Sequence, residues 1–203
     1  HETLLVADLH LEKAAHFAGL GMFLPPYDTR ETLARLQRAI ARYRPRRIVA
    51  LGDSFHSARG AFDIGAEDLA MLHGLQAGRE WIWITGNHDP HIAARVGGVM
   101  MGTLEMGGMT LRHEPQAGET RGEIAGHLHP AAKLARKGIV LRRPCFVGDG
   151  LRLVMPAFGA FTGGLNVCDA AFAALFAPTH GLRVLMLGEE GLYPVAPHYL
   201  VAD

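Results

Sequence analysis

Residues 80–90 read EWIWITGNHDP, and this stretch decides the fold. Its letters WIWI are an apolar run of the kind that forms a buried strand. Polar side chains then crowd the end of that strand, with Asn87, His88 and Asp89 directly after Gly86. In a parallel α/β sheet, ligands bind at the carboxyl ends of the strands. The stretch therefore predicts a core strand that ends in a functional site.

Two earlier segments show the same pattern of an apolar strand that ends at an aspartate. They are TLLVAD at residues 3–8 and RIVALGD at residues 47–53. Between these strands and the third, residues 28–43 and 65–77 have the periodicity of amphipathic helices. The first half therefore reads β-α-β-α-β, which predicts a parallel sheet with helices on its faces.

The segments around the first helix carry turn and cap signals. Residues 16–27 contain glycines and prolines and are predicted to form a loop. Asp28 or Thr29 is the expected N-cap of the following helix. Pro45 is expected to end it.

The second half of the chain is predicted to be rich in strands. Residues 99–113 look like a hairpin that turns at Gly107-Gly108, and short strands are predicted near 122–127, 138–148 and 151–155. A last hairpin-like pair surrounds the letters GEEG. Because no linker or repeat separates the halves, we predict a single domain over residues 1–203.

Composition excludes few classes of protein. The chain has 203 residues, 49% hydrophobic and 20% charged, with a formal net charge of zero, so charge gives no global argument for a nucleic-acid or membrane partner. Two cysteines, Cys145 and Cys168, are too few for a disulfide framework or a cysteine metal site and predict a reducing cytoplasm. No apolar run approaches the ~20 residues of a transmembrane helix, so we expect no membrane association.

Metal-binding side chains recur where the predicted strands end. The candidate ligands are Asp8, His10, Asp53, Asn87, His113, His127 and His129. They offer carboxylate, imidazole and amide donors but no thiolate, a set that suits Mn²⁺, Fe or Zn²⁺. They are too many for one tetrahedral ion, so we predict two ions that share a bridging carboxylate. We expect the pairs Asp8/His10 and His127/His129 each to point to one side of an extended segment.

These motifs resemble a known superfamily. DLH, GD, GNHD, a lone histidine and GHLH occur in that order over residues 8–129 and resemble the calcineurin-like metallophosphoesterases. The longer stretches LLVADLHLEKAAHF, ALGDSFH, ITGNHDP, LRHEP and GHLHP resemble one branch, the ligase-associated DNA damage response endonucleases. MPAFGAFTGGLNV at residues 155–167 also fits that branch.

The resemblance implies a fold and partners. The expected fold is α/β, a four-layer α-β-β-α sandwich with two central mixed sheets flanked by helices. The expected partner is DNA, single-stranded by preference, with a functional association with a DNA ligase and a helicase in bacterial DNA repair. The expected cofactors are two divalent ions, Mn²⁺ by family resemblance, with iron and zinc as the alternatives.

The resemblance also implies a role for each donor. One ion would be held by the set Asp8, His10, Asp53 and His129. The other would be held by the set Asp53, Asn87, His113 and His127, with Asp53 as the bridge. His88 would face the substrate phosphate and act as acid or charge stabiliser, while Asp89 would hold its ring. A hydroxide that bridges the ions would attack phosphorus in line with the leaving oxygen.

Each residue also has an ordinary interpretation. A single histidine is more often a surface or core residue than a ligand, and Asp8 or Asp53 alone fits a cap or a turn. Asn87 after Gly86 fits a turn. The ordered set of five motifs nevertheless favours a metal site, because all of them would have to occur together by chance.

Three side chains are candidates for substrate binding. His56 and Arg59 follow Asp53 in GDSFHSARG, and Arg143 lies in a predicted strand. Arginine has the geometry to bind phosphate with two hydrogen bonds. The ordinary alternatives are a surface histidine and exposed arginines in solvent.

Three functions remain open, two of them enzymatic. The first is a DNA endonuclease. The second is a phosphodiesterase for small substrates such as cyclic nucleotides, which would need a closed pocket over the ions. The third is a non-enzymatic scaffold, which the complete set of ligands and His88 argues against.

Overall fold

The computed structural model describes residues 2–22, 24–92, 94–118, 120–136, 138–176 and 181–203. Over these residues the strands form two sheets, one of four strands and one of nine. The strands of the first sheet are β1 Thr3–Val6, β2 Arg47–Leu51, β3 Glu80–Ile84 and β4 Val99–Met101, in that spatial order and all parallel. The helices of this half are α1 Lys13–Gly19, α2 Asp28–Tyr43, α3 Gly60–Asp63 and α4 Ala66–Gln76.

Alternation along the first sheet separates its two apolar faces. Trp81 and Trp83 lie in one core with Leu33 and Leu36 of α2, whereas Ile82 lies in a second core with residues of the other sheet. Successive side chains of a strand point to opposite faces, so one run of apolar residues can serve both cores. The sheet is therefore covered by helices on one side and by the second sheet on the other.

The second sheet contains parallel and antiparallel pairs. Its strands are β5 Leu104–Met106, β6 Met109–Arg112, β7 Glu123–Ala125, β8 Pro130–Arg136, β9 Ile139–Gly148, β10 Arg152–Val154, β11 Leu165–Asn166, β12 Arg183–Leu187 and β13 Leu192–Val195. The longest strand, β9, pairs with β8 along one part and with β10 and β12 near its end. The short helix α5, Ala170–Ala173, contributes Phe172 to the core on the outer face.

The predicted four-layer order is confirmed, with two refinements. The mixed character belongs to the second sheet, because the pairs of the first sheet are all parallel. The fourth layer is thin, since α5 has four residues. In the described part of the chain, every helix is too short or too polar to cross a membrane.

Some predicted elements differ from the structure. The predicted hairpin at 99–113 is confirmed only from β5 to β6, because β4 leaves it and pairs with β3. The predicted loop 16–27 was wrong at its start, because Lys13–Gly19 form α1. The predicted cap was also wrong: Asp28 begins α2 without capping it, and its Oδ2 instead accepts the Lys13 and Ala14 N–H groups of α1 at 2.8 and 3.1 Å. Both cysteines are free.

Candidate metal centre

The loop after β1 brings two predicted ligands to the seam between the sheets. Asp8 is fully buried and His10 is 6% exposed. The loop runs beside the end of β2, since the Asp8 N–H donates to Gly52 O at 3.2 Å and the His10 N–H to Asp53 O at 3.0 Å. From the second sheet, the His127 N–H donates to both Asp8 carboxylate oxygens, at 3.2 and 3.0 Å. Asp8 therefore ties the two sheets together at the site.

A first donor group consists of Asp8, His10 and His129. Their ligand atoms all lie within 4.8 Å of one another. His129 Nε2 is 3.2 Å from Asp8 Oδ1 and 3.3 Å from His10 Nε2. Three donors from two sheets converge on one point, as a metal site requires.

A second donor group consists of Asp53, His113 and His127. His113 Nε2 lies 3.4 Å from Asp53 Oδ2 and 3.1 Å from His127 Nδ1. The other ring nitrogen of His113 lies 3.0 Å from Leu51 O, which fixes the orientation of the ring in the way usual for metal-binding histidines. The two groups adjoin, because His113 Nδ1 is 3.7 Å from Asp8 Oδ1.

The charges of these groups suit a cation. Burial lowers the pKa of His10 to about 3, with the nearby His129 acting in the same direction. Burial and the neighbouring His113 also lower the pKa of His127. Burial opposes ionisation of Asp53, but hydrogen bonds from His113 and the His88 N–H hold the pKa of that carboxyl well below its usual range. Burial alone would lower the pKa of His113, but its contact with Asp53 raises it. His10 and His127 are thus neutral beside an ionised Asp53, which are the forms that bind metal, whereas His113 would have to release a proton to an ion.

The backbone of the site is strained at the predicted ligands. Five of them have positive φ: Asp8 at 53°, His10 at 45°, Asp53 at 45°, His127 at 70° and His129 at 45°. Residues with a side chain avoid this left-handed region, at about 1–3 kcal/mol each, and such strain clusters at functional sites. The extended alternation predicted for the two pairs was therefore wrong. Left-handed turns, which the sequence does not signal, aim these side chains.

The loop after β3 lies against Asp53. The His88 N–H donates to Asp53 Oδ1 at 2.9 Å. A Cβ on Gly86 would come within 2.2 Å of the Asp53 amide nitrogen and Oδ1. Gly86 is outside the left-handed region, so a glycine is needed here for the close approach to Asp53. Asn87, between Gly86 and His88, is exposed.

Asp89 is placed differently from the prediction that it holds the His88 ring. It is 1% exposed, and its oxygens accept the N–H groups of Ser54, Phe55 and Gly86 at 2.7, 3.0 and 3.1 Å. Burial raises the pKa of the Asp89 carboxyl to about 7, although these three donors favour the charged form. Asp89 thus fixes the loop after β3 to the loop after β2.

His88 stands at the mouth of the site. Its side chain is 47% exposed. Its ring stacks on His56, with centroids 5.2 Å apart and planes at 16°, and lies 5.4 Å from the ring of His10. His56 Nδ1 is 3.1 Å from His10 Nδ1, and burial lowers the pKa of His56 to about 4, with Lys13 acting in the same direction. His56 is therefore a neighbour of the first donor group.

The two predicted arginines lie further out. Arg59 precedes α3 with an 84% exposed side chain and is 3.6 Å from Asp63. Arg143 is exposed on β9 and borders a cavity that His129 also lines. Sequence reasoning did not find Arg35, which also lines that cavity, because it lies on a helix remote in sequence from every motif.

Comparison with protein families decides the classification. Residues 2–134 match the family model described as calcineurin-like phosphoesterase. The chain belongs to the calcineurin-like phosphoesterase family. This confirms the superfamily that the motifs resemble, and with it a metallophosphoesterase fold.

Solved structures include other proteins similar to this calcineurin-like phosphoesterase. The crystal structure of the nuclease MPE from Pseudomonas putida is 31% identical, covers 95% of this chain and 87% of that chain, and superposes with a TM-score of 0.69. The phosphoesterase Yfce from E. coli is 14% identical over 100% of this chain and 97% of that chain, with a TM-score of 0.46. No curated protein sequence matches the chain.

Proposed function

We propose that the chain is a phosphodiester hydrolase with two divalent ions that cuts DNA internally, prefers single strands and acts in DNA repair. The observation that carries the proposal is the pair of adjoining donor groups at the seam between the sheets. Each group has one carboxylate and two imidazoles, which is too specific a set for an ordinary polar cluster.

The donor groups define which residues would hold the ions. One ion would bind the set Asp8, His10, His129 and Asp53, and the other the set Asp53, Asn87, His113 and His127. Nitrogen and oxygen donors without thiolate suit Mn²⁺, which we propose as the native ion, with iron and zinc as the alternatives. When bound, such ions neutralise phosphate charge and lower the pKa of a water.

His88 would act on the substrate. Its half-exposed ring lies at the mouth of the site while its backbone N–H holds Asp53. In this position the imidazole can donate a proton to the leaving oxygen or a hydrogen bond to the phosphate. Asp89 supports this role through the backbone, since it fixes the loop that carries His88.

Two observations favour a polynucleotide over a small diester. The similar protein from Pseudomonas putida is a nuclease, and its likeness extends over 95% of this chain. The exposed His88 ring also indicates an open site, whereas a phosphodiesterase for cyclic nucleotides would need a closed one. The ligase-associated branch, and with it a partner ligase and helicase, is proposed on the sequence motifs alone.

A circular substrate tests the proposal. Metal-stripped protein would be supplied with Mn²⁺ and given a covalently closed single-stranded DNA circle, the same circle as duplex, and bis-(p-nitrophenyl) phosphate. We expect cutting of the single-stranded circle, because a circle has no end from which an exonuclease could begin. Hydrolysis of the ester alone would retain the metal site and overturn the assignment to DNA.

A further inference from the structure

A cavity of about 260 Å³ opens beside the first donor group. His129 forms one of its walls, and Ala157 and Gly159 form another. Three arginines also border it: Arg35, Arg142 and Arg143. The cavity thus adjoins the first donor group at His129, but none of these arginines belongs to either donor group.

The cavity is positively charged. No carboxylate side chain is among its lining residues in the described part of the chain. Arg142 and Arg35 each have one acidic neighbour outside the lining, Asp203 and Glu31, both at 3.3 Å. Each of these two acids also contacts a second cationic side chain, at 3.3 and 3.5 Å, so positive charge exceeds negative charge here.

Two of the arginines reach the cavity from different elements of the fold. Arg35 comes from α2 with a 43% exposed side chain. Arg142 comes from β9, and its Nη2 donates to Gly164 O at 2.7 Å, which places its guanidinium at the cavity wall. Alternation along β9 puts Arg142 on the same face as Phe146 of the core between the sheets, and Arg143 on the face of Cys145.

The wall between the cavity and the metal centre is closely packed. The Gly159 N–H donates to Asp8 O at 3.2 Å, and a Cβ on Gly159 would come within 2.4 Å of Leu9 O. A Cβ on Gly164 would come within 2.5 Å of His129 O. The cavity is therefore held in a fixed position relative to Asp8 and His129.

We propose that this cavity binds a non-scissile phosphate of a DNA strand whose neighbouring phosphate lies at the metal centre. The inference rests on the proposed function and adds a specificity site to it. Guanidinium groups bind phosphate with two charge-assisted hydrogen bonds, and a cavity without carboxylates favours such an anion. A polynucleotide has a second phosphate to place there, but a simple diester has none. The cavity thus selects polynucleotides over small diesters.

The test compares two arginines of one helix. Arg35→Gln removes a charge from the cavity. Arg38→Gln is the matched control, because Arg38 lies on the same helix and contacts the same Glu31 oxygen at 3.3 Å without lining the cavity. The Mn²⁺-loaded proteins would be assayed for kcat/KM on a single-stranded oligonucleotide and on bis-(p-nitrophenyl) phosphate. Arg142→Gln is the second variant, and it removes the charge that β9 contributes to the cavity.

We expect the ratio of kcat/KM for the oligonucleotide to that for the ester to fall about 10- to 100-fold in Arg35→Gln and Arg142→Gln, the usual effect of losing a charged hydrogen bond. Arg38→Gln should keep the wild-type ratio. The slope of log(1/KM) for the oligonucleotide against log salt should also become shallower by about 0.7 for each lost phosphate contact.

Three results would overturn the inference. A wild-type ratio in both variants would show that the cavity is not used, and equal losses on both substrates would place the arginines at the scissile phosphate or in folding. A wild-type protein that hydrolyses the ester but cuts no DNA would overturn the proposed function itself. The first two results leave DNA cleavage by the wild type intact, so the two failures are distinguishable.

Discussion

At the scale of the residue, the sequence shows the donor side chains of the site. It does not show the backbone conformation that positions them. The order and type of Asp53, His113 and His127 were enough to predict them as neighbours, because few other functions need such donors in that order. Their conformation could not be predicted, since aspartate and histidine adopt positive φ more often than most residues but far less often than glycine. The strain at Asp53 and His127 is supported by contacts from distant strands.

The role of His88 can be tested separately from metal binding. His88→Ala should retain both ions, because the Asp53 contact of residue 88 is made by the backbone N–H. Turnover on DNA should fall about 10²–10⁴-fold, the usual contribution of a positioned acid. Single-turnover kinetics together with metal analysis of the purified variant would measure both quantities. Wild-type turnover with both ions bound would contradict the proposed role.

Gly86 should be intolerant of even one methyl group. A Cβ there would overlap Asp53, so Gly86→Ala should displace the carboxylate and reduce metal affinity by tenfold or more, about 1.4 kcal/mol. Gly74→Ala is the control, because Gly74 lies within α4 with no atom within 4 Å of its added Cβ. The control should stabilise the fold by about 0.5–1 kcal/mol. Isothermal titration with Mn²⁺ and urea unfolding would check both, and unchanged affinity in Gly86→Ala would contradict the packing argument.

At the scale of the element, the sequence predicted the regular parts and missed those fixed by tertiary contacts. β2 and β3 follow from their apolar runs, and α2 follows from its helical periodicity. The seven residues of α1 have no such periodicity. Asp28, which lies outside this helix, accepts hydrogen bonds from N–H groups of its first turn and so stabilises it. Periodicity reports which face is buried, but it does not show a cap contributed by a distant residue.

A buried ion pair fixes the segment that follows His113. Arg152 and Glu123 are 3% and 2% exposed, with Arg152 Nε 2.7 Å from Glu123 Oε1. The contact is electrostatic without hydrogen-bond alignment, since the Nε–H donates to Thr120 Oγ1 at 3.2 Å. Arg152 also donates to the carbonyls of Gln116 and Gly118. The pair therefore ties the segment between β6 and β7 to β10.

Glu123→Gln should lower the free energy of unfolding by about 3 kcal/mol, because it leaves a buried guanidinium uncompensated. Glu80→Gln is matched to it, since Glu80 Oε2 is also 2.7 Å from an arginine, Arg47, but both side chains are more than one third exposed. Its effect should be below about 1 kcal/mol. Chemical denaturation of both variants would measure the difference, and equal effects would show that burial does not decide the strength of the pair.

At the scale of the whole molecule, the layers could be predicted but the pairing of the second sheet could not. Three partners share β9, and β11 joins through Leu165 and Asn166 alone, an arrangement that depends on packing rather than on local pattern. The arginine cavity is likewise assembled from α2, β9 and the loop that includes Gly159. Such features appear only when distant segments meet.

Bound ions should stabilise the entire fold, because each donor group joins the two sheets. At 100 times the dissociation constant, one bound ion adds about 2.7 kcal/mol. For a chain of this size that corresponds to a rise of about 5–10 °C in Tm. Calorimetry of chelator-treated protein with and without Mn²⁺ would measure the rise. Asp53→Ala should lose most of it, and an equal rise in that variant would indicate binding elsewhere.

Residues 102–103 join β4 of the first sheet to β5 of the second. A cut there would leave Asp8, His10 and Asp53 on one fragment and the three histidines of the donor groups after it, His113, His127 and His129, on the other. Neither fragment would contain a complete donor group, so we expect catalysis only after the two fragments reassociate. Cut at this point, the protein would act as a split-protein reporter, because its activity would report the reassociation of the two fragments.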